Sequence, residues 1–258
     1  MEWSTEESSS IVKEFIGFSG SKIYLVKNKD SVFVRKIGNV ERNYNKLELL
    51  HKNGFYVPKI ISKEGEILDM EYIHGLDIKT YLKLRDPDSL LDYIISTLTN
   101  FKKINNQLKD YSDTYVEQLS YLRNDHNLPF TTAQLINRVP KILEASLNHG
   151  DFTLENIIYS NNIFYMIDPS TGSYDSYIFD LAKLRQDLDC LWFLRNHNRK
   201  EEYRIELDYI KSELKKKFPE AFDDHLYILM LLRVYKYAMK ESKEYFLILN
   251  EIYRLWKS

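Results

Sequence analysis

Polar side chains able to do chemistry are concentrated in one segment, which reads HGDFTLENIIYSNNIFYMIDP and begins at His149. It contains Asp151, Asn156 and Asp168. Two carboxylates and an amide oxygen are the ligands that a hard divalent cation prefers, and phosphoryl transfer requires the same groups. One carboxylate can accept the proton of an attacking hydroxyl, while the other, with the amide, can hold Mg²⁺ on phosphates. In the alternative interpretation, Asp151 and Asn156 merely cap a turn of a polar loop.

The elements that position these side chains follow from the apolar pattern. Residues 157–159 form one apolar run, Asn161-Asn162 is a turn pair, and residues 163–167 form a second run. Two such runs around a two-residue turn predict a β-hairpin. This hairpin would hold the two acids and the amide at one of its ends.

The HGDxxxxN pattern, followed by a strand that ends in Asp168, resembles the catalytic core of the aminoglycoside phosphotransferase and choline kinase-like superfamily. The resemblance implies an α+β, bilobal protein-kinase-like fold. A small antiparallel sheet lobe with one helix, over residues 1–75, would bind the nucleotide, and a mostly helical lobe, over residues 76–258, would carry catalysis and the substrate. Asp151 would be the catalytic base, Asn156 and Asp168 the magnesium ligands, and His149 a brace for the loop.

The N-terminal residues predict a three-stranded meander over 11–15, 22–26 and 31–37. The turn GFSGS joins its first two strands. Backbone N–H groups of Ser19, Gly20 and Ser21 in such a turn can lie against phosphates. Most turns of this composition are only turns, but the small lobe of the superfamily opens in this way.

The third strand carries Arg35 and Lys36 side by side. Side chains alternate across a strand, so only one of them can face a nucleotide. The resemblance selects Lys36, because Val34 supplies the small apolar residue expected two places before the lysine. In the alternative interpretation, both are solvated charges of an edge strand.

The next segment, residues 40–53, predicts a helix that Gly54 ends. The superfamily's first helix supplies an acid that pairs with the strand lysine. Glu41 and Glu48 are the candidates, and Glu41 lies nearer the required turn. The expected place falls near Asn43, where this sequence has no acid.

Two further site predictions rest on the resemblance. The strand over 66–73 is similar to the hinge of the superfamily, with Met70 beside the adenine ring and backbone groups of Glu71 and Ile73 bonded to its edge. An edge strand that runs into a helix is the alternative. Asp180, at the start of a helix, would hydrogen-bond back to the catalytic loop.

The remaining chain predicts helices. One is expected from residue 131 or 132 to Leu147, kinked or divided at Pro140, and three are expected over 180–196, 199–217 and 223–256. The acceptor would enter between the catalytic loop and these last helices. Polar and aromatic candidates for its neighbourhood are Tyr174, Tyr177, Asp187, Asp189 and Trp192.

Composition narrows the class of protein. A formal net charge of −2 provides no basic field, so nucleic acid is not an expected partner. The single cysteine, Cys190, excludes an internal disulfide. The start MEWSTEESSS has no signal-peptide pattern and no run is long enough to span a membrane, so we expect a cytoplasmic protein.

These features predict an ATP-dependent, Mg²⁺-dependent kinase for a hydroxyl group of a small metabolite. A sugar, a glycan precursor or an amino alcohol such as choline would be the acceptor. The alternatives are a catalytically inactive nucleotide-binding scaffold, and a kinase with a protein or antibiotic acceptor. The oligomeric state is left open.

Overall fold

The computed structural model describes residues 10–15, 21–29, 31–122 and 125–257. The strands in this part of the chain are β1 (Ser10–Phe15), β2 (Lys22–Lys27), β3 (Val32–Ile37), β4 (Ile60–Glu64), β5 (Ile67–Glu71), β6 (Leu76–Asp77), β7 (Gln107–Asp110), β8 (Ile142–Ala145), β9 (Ile157–Ser160) and β10 (Ile163–Met166). The α-helices are α1 (Glu41–Lys52), α2 (Ile78–Leu84), α3 (Asp88–Lys102), α4 (Ser112–Gln118), α5 (Thr132–Arg138), α6 (Tyr177–Cys190), α7 (Arg204–Lys217), α8 (Asp224–Tyr235) and α9 (Lys243–Lys257).

The chain divides into two compact units. The N-terminal unit comprises the described residues up to Leu76 together with Ile157–Thr171. The helical unit comprises the described residues of 77–156 and 172–258. The predicted roles of residues 1–75 in nucleotide binding and of 76–258 in catalysis stay predictions.

The N-terminal unit is built on a five-stranded sheet in the order β1-β2-β3-β5-β4. Its neighbouring strands are antiparallel. Short connections join β2 to β3 and β4 to β5, whereas α1 and β4 lie in the chain between β3 and β5. The α+β class predicted from the sequence is confirmed by this sheet and the helices that follow it.

Helix α1 contributes Leu47 and Leu50 to the apolar core of the N-terminal unit, and both are almost fully buried. Burial of one such side chain stabilises the fold by about 1.5–3 kcal/mol. The helix ends as the sequence predicts. Gly54 has a φ of +80° and donates to His51 O at 3.0 Å, and Phe55 N donates to Leu50 O at 3.1 Å. This pair of bonds satisfies carbonyls that the last helical turn leaves free.

The predicted hairpin is confirmed. Strands β9 and β10 pair in an antiparallel register that starts at Ser160 and Ile163, so the loop has two residues. Asn161 and Asn162 have φ values of 49° and 63°, which is the left-handed pair that this tight turn requires. Strand β6 extends the hairpin to a three-stranded sheet.

The helical unit has its core around α6, which packs against α3, α7 and α8. Nearly every side chain of α6 is buried, polar ones included. The apolar side of α3 is also buried, with Leu90, Ile94 and Leu98 completely covered. Within the described residues, no helix combines the length and the apolar character needed to cross a membrane.

Two helix predictions are wrong. The helix expected up to Leu147 ends at Arg138, because Pro140 cannot continue it, and residues 142–145 form β8 instead. Strand β8 pairs with β7, which the sequence did not indicate. The last predicted helix is two helices, since α8 ends at Tyr235 and Glu241 takes a left-handed φ of 66° before α9.

Candidate active site

The loop that contains Asp151 is fixed by one buried carboxylate of the helical unit. Asp180, in the first turn of α6, is 2% exposed. Its oxygens accept hydrogen bonds from His149 N at 2.5 Å and from Gly150 N at 2.8 Å. These are the bonds that the sequence predicts for Asp180. The two backbone N–H groups lie outside helices and strands, so the Asp180 carboxylate supplies the acceptors that they need. Gly150 has a left-handed φ of 87°, a conformation that glycine adopts without strain.

His149 is completely buried in this loop. Its Nδ1 accepts a hydrogen bond from Asp151 N at 3.3 Å, and its ring lies edge-on to Phe152. The side chain therefore supports the loop from behind, and its burial keeps it from reaching a ligand.

Asp151 lies at the accessible side of the same loop, with 37% of its side chain exposed. One carboxylate oxygen, Oδ1, is 3.3 Å from Lys183 Nζ. Asn156 Nδ2 donates to Asp151 O at 2.9 Å and lies 3.4 Å from Oδ2. Burial opposes the ionisation of Asp151, but the charges of Lys183 and Arg233 outweigh it and hold the pKa of this carboxyl below its ordinary value. An ionised, reachable carboxylate is what a general base requires.

Lys183 and Arg233 were missed by the sequence reasoning. Lys183 belongs to α6 and only 7% of its side chain is exposed. Arg233, in α8, donates to Gly150 O at 2.9 Å. The one available signal was a lysine in the middle of the apolar run YIFDLAKL, since a buried lysine requires a partner.

Asp187 connects the end of the loop that contains Asp151 with the residues that follow α6, through hydrogen bonds to both. Its carboxyl accepts from Leu154 N at 2.7 Å and from Phe193 N at 3.0 Å, and it is completely buried. Burial, together with the nearby charge of Glu155, raises the pKa of Asp187 to about 8.

The residues expected near an acceptor are in most cases structural. Tyr177 is completely buried and donates to Glu220 at 2.5 Å. Asp189 pairs with Arg185 and Lys211, and 3% of its side chain is exposed. Asp187, Tyr174 and Trp192 are buried as well. These side chains therefore shape the core of the helical unit, and their place near an acceptor stays a prediction.

In the N-terminal unit, Lys36, Asp168 and Asn43 form a compact polar group. Lys36 Nζ lies 2.6 Å from Asp168 Oδ1, and the lysine is 4% exposed. Asn43 Nδ2 donates to the same oxygen at 3.0 Å and to Pro169 O at 2.6 Å. Asp168 follows β10 in a left-handed conformation, with a φ of 52°, and keeps 42% of its side chain exposed.

Arg35 points to the opposite face of β3 and forms a two-bond pair with Asp69, at 2.8 and 2.7 Å. The alternation of side chains along a strand separates the two cations as predicted. Neither is a solvated edge charge, because each has a carboxylate partner.

The structure does not form the predicted pair of Lys36 with Glu41. Glu41, at the exposed start of α1, instead lies 2.5 Å from Lys63 Nζ on β4. The other candidate, Glu48, accepts from Tyr44 OH at 2.7 Å. The helix turn that carries Glu41 presents it to β4, and the inward position two residues later belongs to Asn43.

One of the backbone groups predicted to bond the adenine at the hinge already has a partner. Glu71 N donates to Lys59 O at 2.8 Å, so this N–H is already bonded within the N-terminal unit. Met70 and Ile73 are buried. The glycine that follows, Gly75, is required by close packing, since a Cβ there would lie 2.4 Å from Tyr159 O.

Of the predicted glycine turn, Ser19 and Gly20 lie outside the described residues. Ser21 packs beside Gly38, where an added Cβ would lie 3.1 Å from Ser21 Oγ. The Ser21 contact places it next to the end of β3, and its role toward phosphates stays a prediction.

The candidate magnesium ligands supply hard oxygen donors. Asp168 uses Oδ1 for Lys36 and Asn43, and its side chain remains accessible to solvent. Asn156 uses its amide nitrogen within the loop. Among the described residues there is no group of three or more His, Cys, Asp or Glu side chains suited to a metal cage. Mg²⁺ does not need one, because it is held by one or two protein oxygens with phosphates and water. The donor chemistry therefore fits Mg²⁺.

Comparison with known proteins identifies the family. The model of the phosphotransferase enzyme family (APH) matches residues 18–225, which is most of the chain. No curated protein has a sequence that matches this chain.

Solved structures with the same fold include a provisionally assigned fructosamine-3-kinase from Haemophilus somnus 129PT. It has 14% identity and a TM-score of 0.59, over 94% of this chain and 90% of that one. A thermostable mutant of the aminoglycoside phosphotransferase APH(4)-Ia, in its apo form, has 9% identity and a TM-score of 0.66, over 97% and 95%. A second mutant of that enzyme, in a ternary complex with ADP and hygromycin B, has 9% identity and a TM-score of 0.61, over 97% and 94%.

At these identities the solved structures establish the shared kinase-like fold, and they leave the acceptor open. The family match extends over the catalytic loop, the hairpin and the residues that support them. The chain therefore belongs to the phosphotransferase enzyme family, and it is a phosphotransferase that acts on a hydroxyl group.

Proposed function

We propose that the chain is an ATP-dependent kinase for a small metabolite with a free hydroxyl group. A sugar, a glycan precursor or an amino alcohol is the acceptor class. The observation that supports this proposal most is the state of Asp151. It is an ionised and accessible carboxylate on a loop that Asp180 and Asn156 hold in place. The fold supports ATP as the donor, since a structure of the same fold is a ternary complex with ADP and hygromycin B.

Asp151 acts as the general base in this proposal. The acceptor oxygen forms a bond to the γ-phosphorus while the bond from that phosphorus to the β–γ bridging oxygen breaks. The hydroxyl proton passes to the Asp151 carboxylate. Lys183 lies against Oδ1 of that carboxylate, and Oδ2, which Asn156 Nδ2 approaches to 3.4 Å, would accept the proton through its other lone pair.

The remaining roles concern the nucleotide. Asp168 and Asn156 would hold Mg²⁺ through one carboxylate and one amide oxygen. When bound, the ion neutralises charge on the phosphates and orients them. Lys36 is the cation on the inward side of β3, and it would turn from Asp168 toward the phosphates. His149 and Asp180 support the loop without touching a reactant.

The test is turnover with Mg-ATP and a panel of sugars, amino alcohols and aminoglycosides, measured as acceptor-dependent ADP release. We expect one acceptor class to stimulate ADP release, and Asp151→Asn to abolish the stimulation while nucleotide binding is retained. Stimulation that survives Asp151→Asn unchanged would refute the base assignment. Acceptor-independent binding of ATP with no turnover would favour a nucleotide-binding scaffold.

The two adjacent cations of β3 provide a matched pair for the nucleotide site. Lys36→Met should weaken Mg-ATP binding, whereas Arg35→Met should leave it unchanged because Arg35 faces Asp69 on the other side of the strand. Equal losses in both variants would contradict the assignment of Lys36.

A further inference from the structure

Asn43 stands where the resemblance expects an acid, and its contacts give it a different task. The side chain lies in α1 and is 8% exposed. Its amide nitrogen carries two hydrogens, and it faces two acceptors, Asp168 Oδ1 at 3.0 Å and Pro169 O at 2.6 Å. An amide nitrogen can donate to both at once. A carboxylate in the same place would put three acceptors together, with two of them charged.

The residue that Asn43 contacts needs support. Asp168 has a φ of 52°, a left-handed conformation that side chains other than glycine adopt at a cost. Asn43 bonds the carboxylate of this residue and the carbonyl of the next one, so it spans the turn. These two bonds determine the backbone conformation and the direction of the carboxylate together.

The acids of α1 are committed to other groups. Glu41 pairs with Lys63, and Glu48 accepts from Tyr44. Lys36 has Asp168 as its carboxylate partner instead. The contact of α1 with Asp168 is therefore the hydrogen bond donated by the neutral amide of Asn43. No carboxylate of α1 pairs with Lys36.

We infer that Asn43 is a positioning residue, which orients Asp168 for the metal-nucleotide. This inference rests on the proposed function, because it assumes that Asp168 is a magnesium ligand. It goes beyond that proposal in giving the residue at the place of the expected helix acid a task on Asp168, where an acid would pair with the lysine.

The experiment measures nucleotide affinity with and without metal, by titrating a fluorescent ATP analogue in Mg²⁺ and in EDTA. Asn43→Leu keeps the branching and number of the side-chain heavy atoms and removes both donors. We expect its affinity for the Mg²⁺ complex to fall by about tenfold or more, the effect typical of losing a hydrogen-bonding partner of a metal ligand. Affinity for the metal-free analogue should stay within about twofold of wild type, because Asn43 acts through the metal ligand alone.

Asn45 provides the matched control, since it lies in the same helix and is exposed. Asn45→Leu should bind both forms as wild type does. Asn43→Ser, which keeps a single donor, should lie between wild type and Asn43→Leu, and it serves as the test if the leucine variant does not fold.

The outcomes separate the two proposals. A wild-type protein that does not bind Mg-ATP refutes the proposed function. Wild-type binding with unchanged Mg²⁺-dependent affinity in the Asn43 variants overturns only the role of Asn43. Equal losses with and without Mg²⁺ also overturn it, because they indicate a general disturbance of the unit.

Discussion

The pair of Asp151 and Lys183 predicts an asymmetric response to mutation. The lysine side chain is 7% exposed and the aspartate side chain is 37% exposed, with 3.3 Å between the charged atoms. Asp151→Asn leaves a buried ammonium without its partner. Lys183→Met leaves a carboxylate that reaches water and remains close to Arg233. The two variants therefore remove the same ion pair with different consequences.

The expected magnitudes follow from burial. Breaking a buried pair costs about 3–5 kcal/mol, and the partial exposure of Asp151 reduces this to about 2–3 kcal/mol for Asp151→Asn. Burial already lowers the pKa of the Lys183 ammonium, so deprotonation limits the cost further. For Lys183→Met we expect a loss of stability of about 1 kcal/mol or less. The charge that loses its partner is then the solvent-exposed Asp151 carboxylate, and a methionine packs well in a core.

Equilibrium urea unfolding of both variants and of the double variant measures these differences. The double variant should be more stable than Asp151→Asn alone, since it removes the stranded ammonium. Asp113→Asn, an exposed acid of the same unit, is the control and should change stability by less than about 0.5 kcal/mol. If Lys183→Met proves the more destabilising single change, or if the two changes simply add, the reasoning from burial is refuted.

Three other outcomes are expected. Burial raises the pKa of Asp187 to about 8, above its unfolded value of 3.8. The folded chain then holds a proton that the unfolded chain has lost, so stability falls as pH rises between these values. Asp187→Asn should flatten this slope in thermal midpoints, and an unchanged slope would contradict the shift. Asp180→Ala removes two charge-assisted hydrogen bonds to the loop, at about 1.5–3 kcal/mol each, and should lower kcat far more than nucleotide affinity; unchanged kcat would contradict its role. Removal of Mg²⁺ with EDTA should abolish turnover and added Mg²⁺ should restore it; turnover in EDTA would exclude the metal role.

Local signals in the sequence were sufficient for the elements that carry the site. The Asn161-Asn162 pair determines a two-residue turn by itself, because both residues tolerate a left-handed backbone. Gly54 ends α1 for a similar reason. In each case the residues that decide the structure are neighbours in the chain.

Pairings between distant segments were not predictable in this way. Strand β8 forms because residues 142–145 meet residues 107–110, and neither segment has a strong strand pattern alone. The break between α8 and α9 also has no glycine or proline to mark it. There Ser242 Oγ accepts from Tyr245 N at 3.1 Å, so a serine starts the new helix.

The side chains around the two acids divide in the same way. Asp151 and Asp168 could be predicted, because each stands at a fixed spacing in one short segment. Their partners Lys183 and Asn43 lie on separate helices, and a pattern of residue types does not show which turn faces inward. The choice of Glu41 failed for this reason, since it assumed an acid where the helix presents an amide.

The two acids are built alike in one respect and differ in another. Each places Oδ1 against a buried lysine and keeps more than a third of its side chain exposed, so its charge is compensated while the carboxylate stays reachable. Lys36, however, is proposed to turn from Asp168 toward the phosphates. Asp168 has a second donor on the same oxygen, Asn43, which can hold the carboxylate after the lysine turns away. Asp151 needs no such substitute for Lys183, because a general base is most useful with its partner in place. In the proposed function, Asn43 therefore keeps Asp168 in place when Lys36 turns toward the phosphates of the nucleotide.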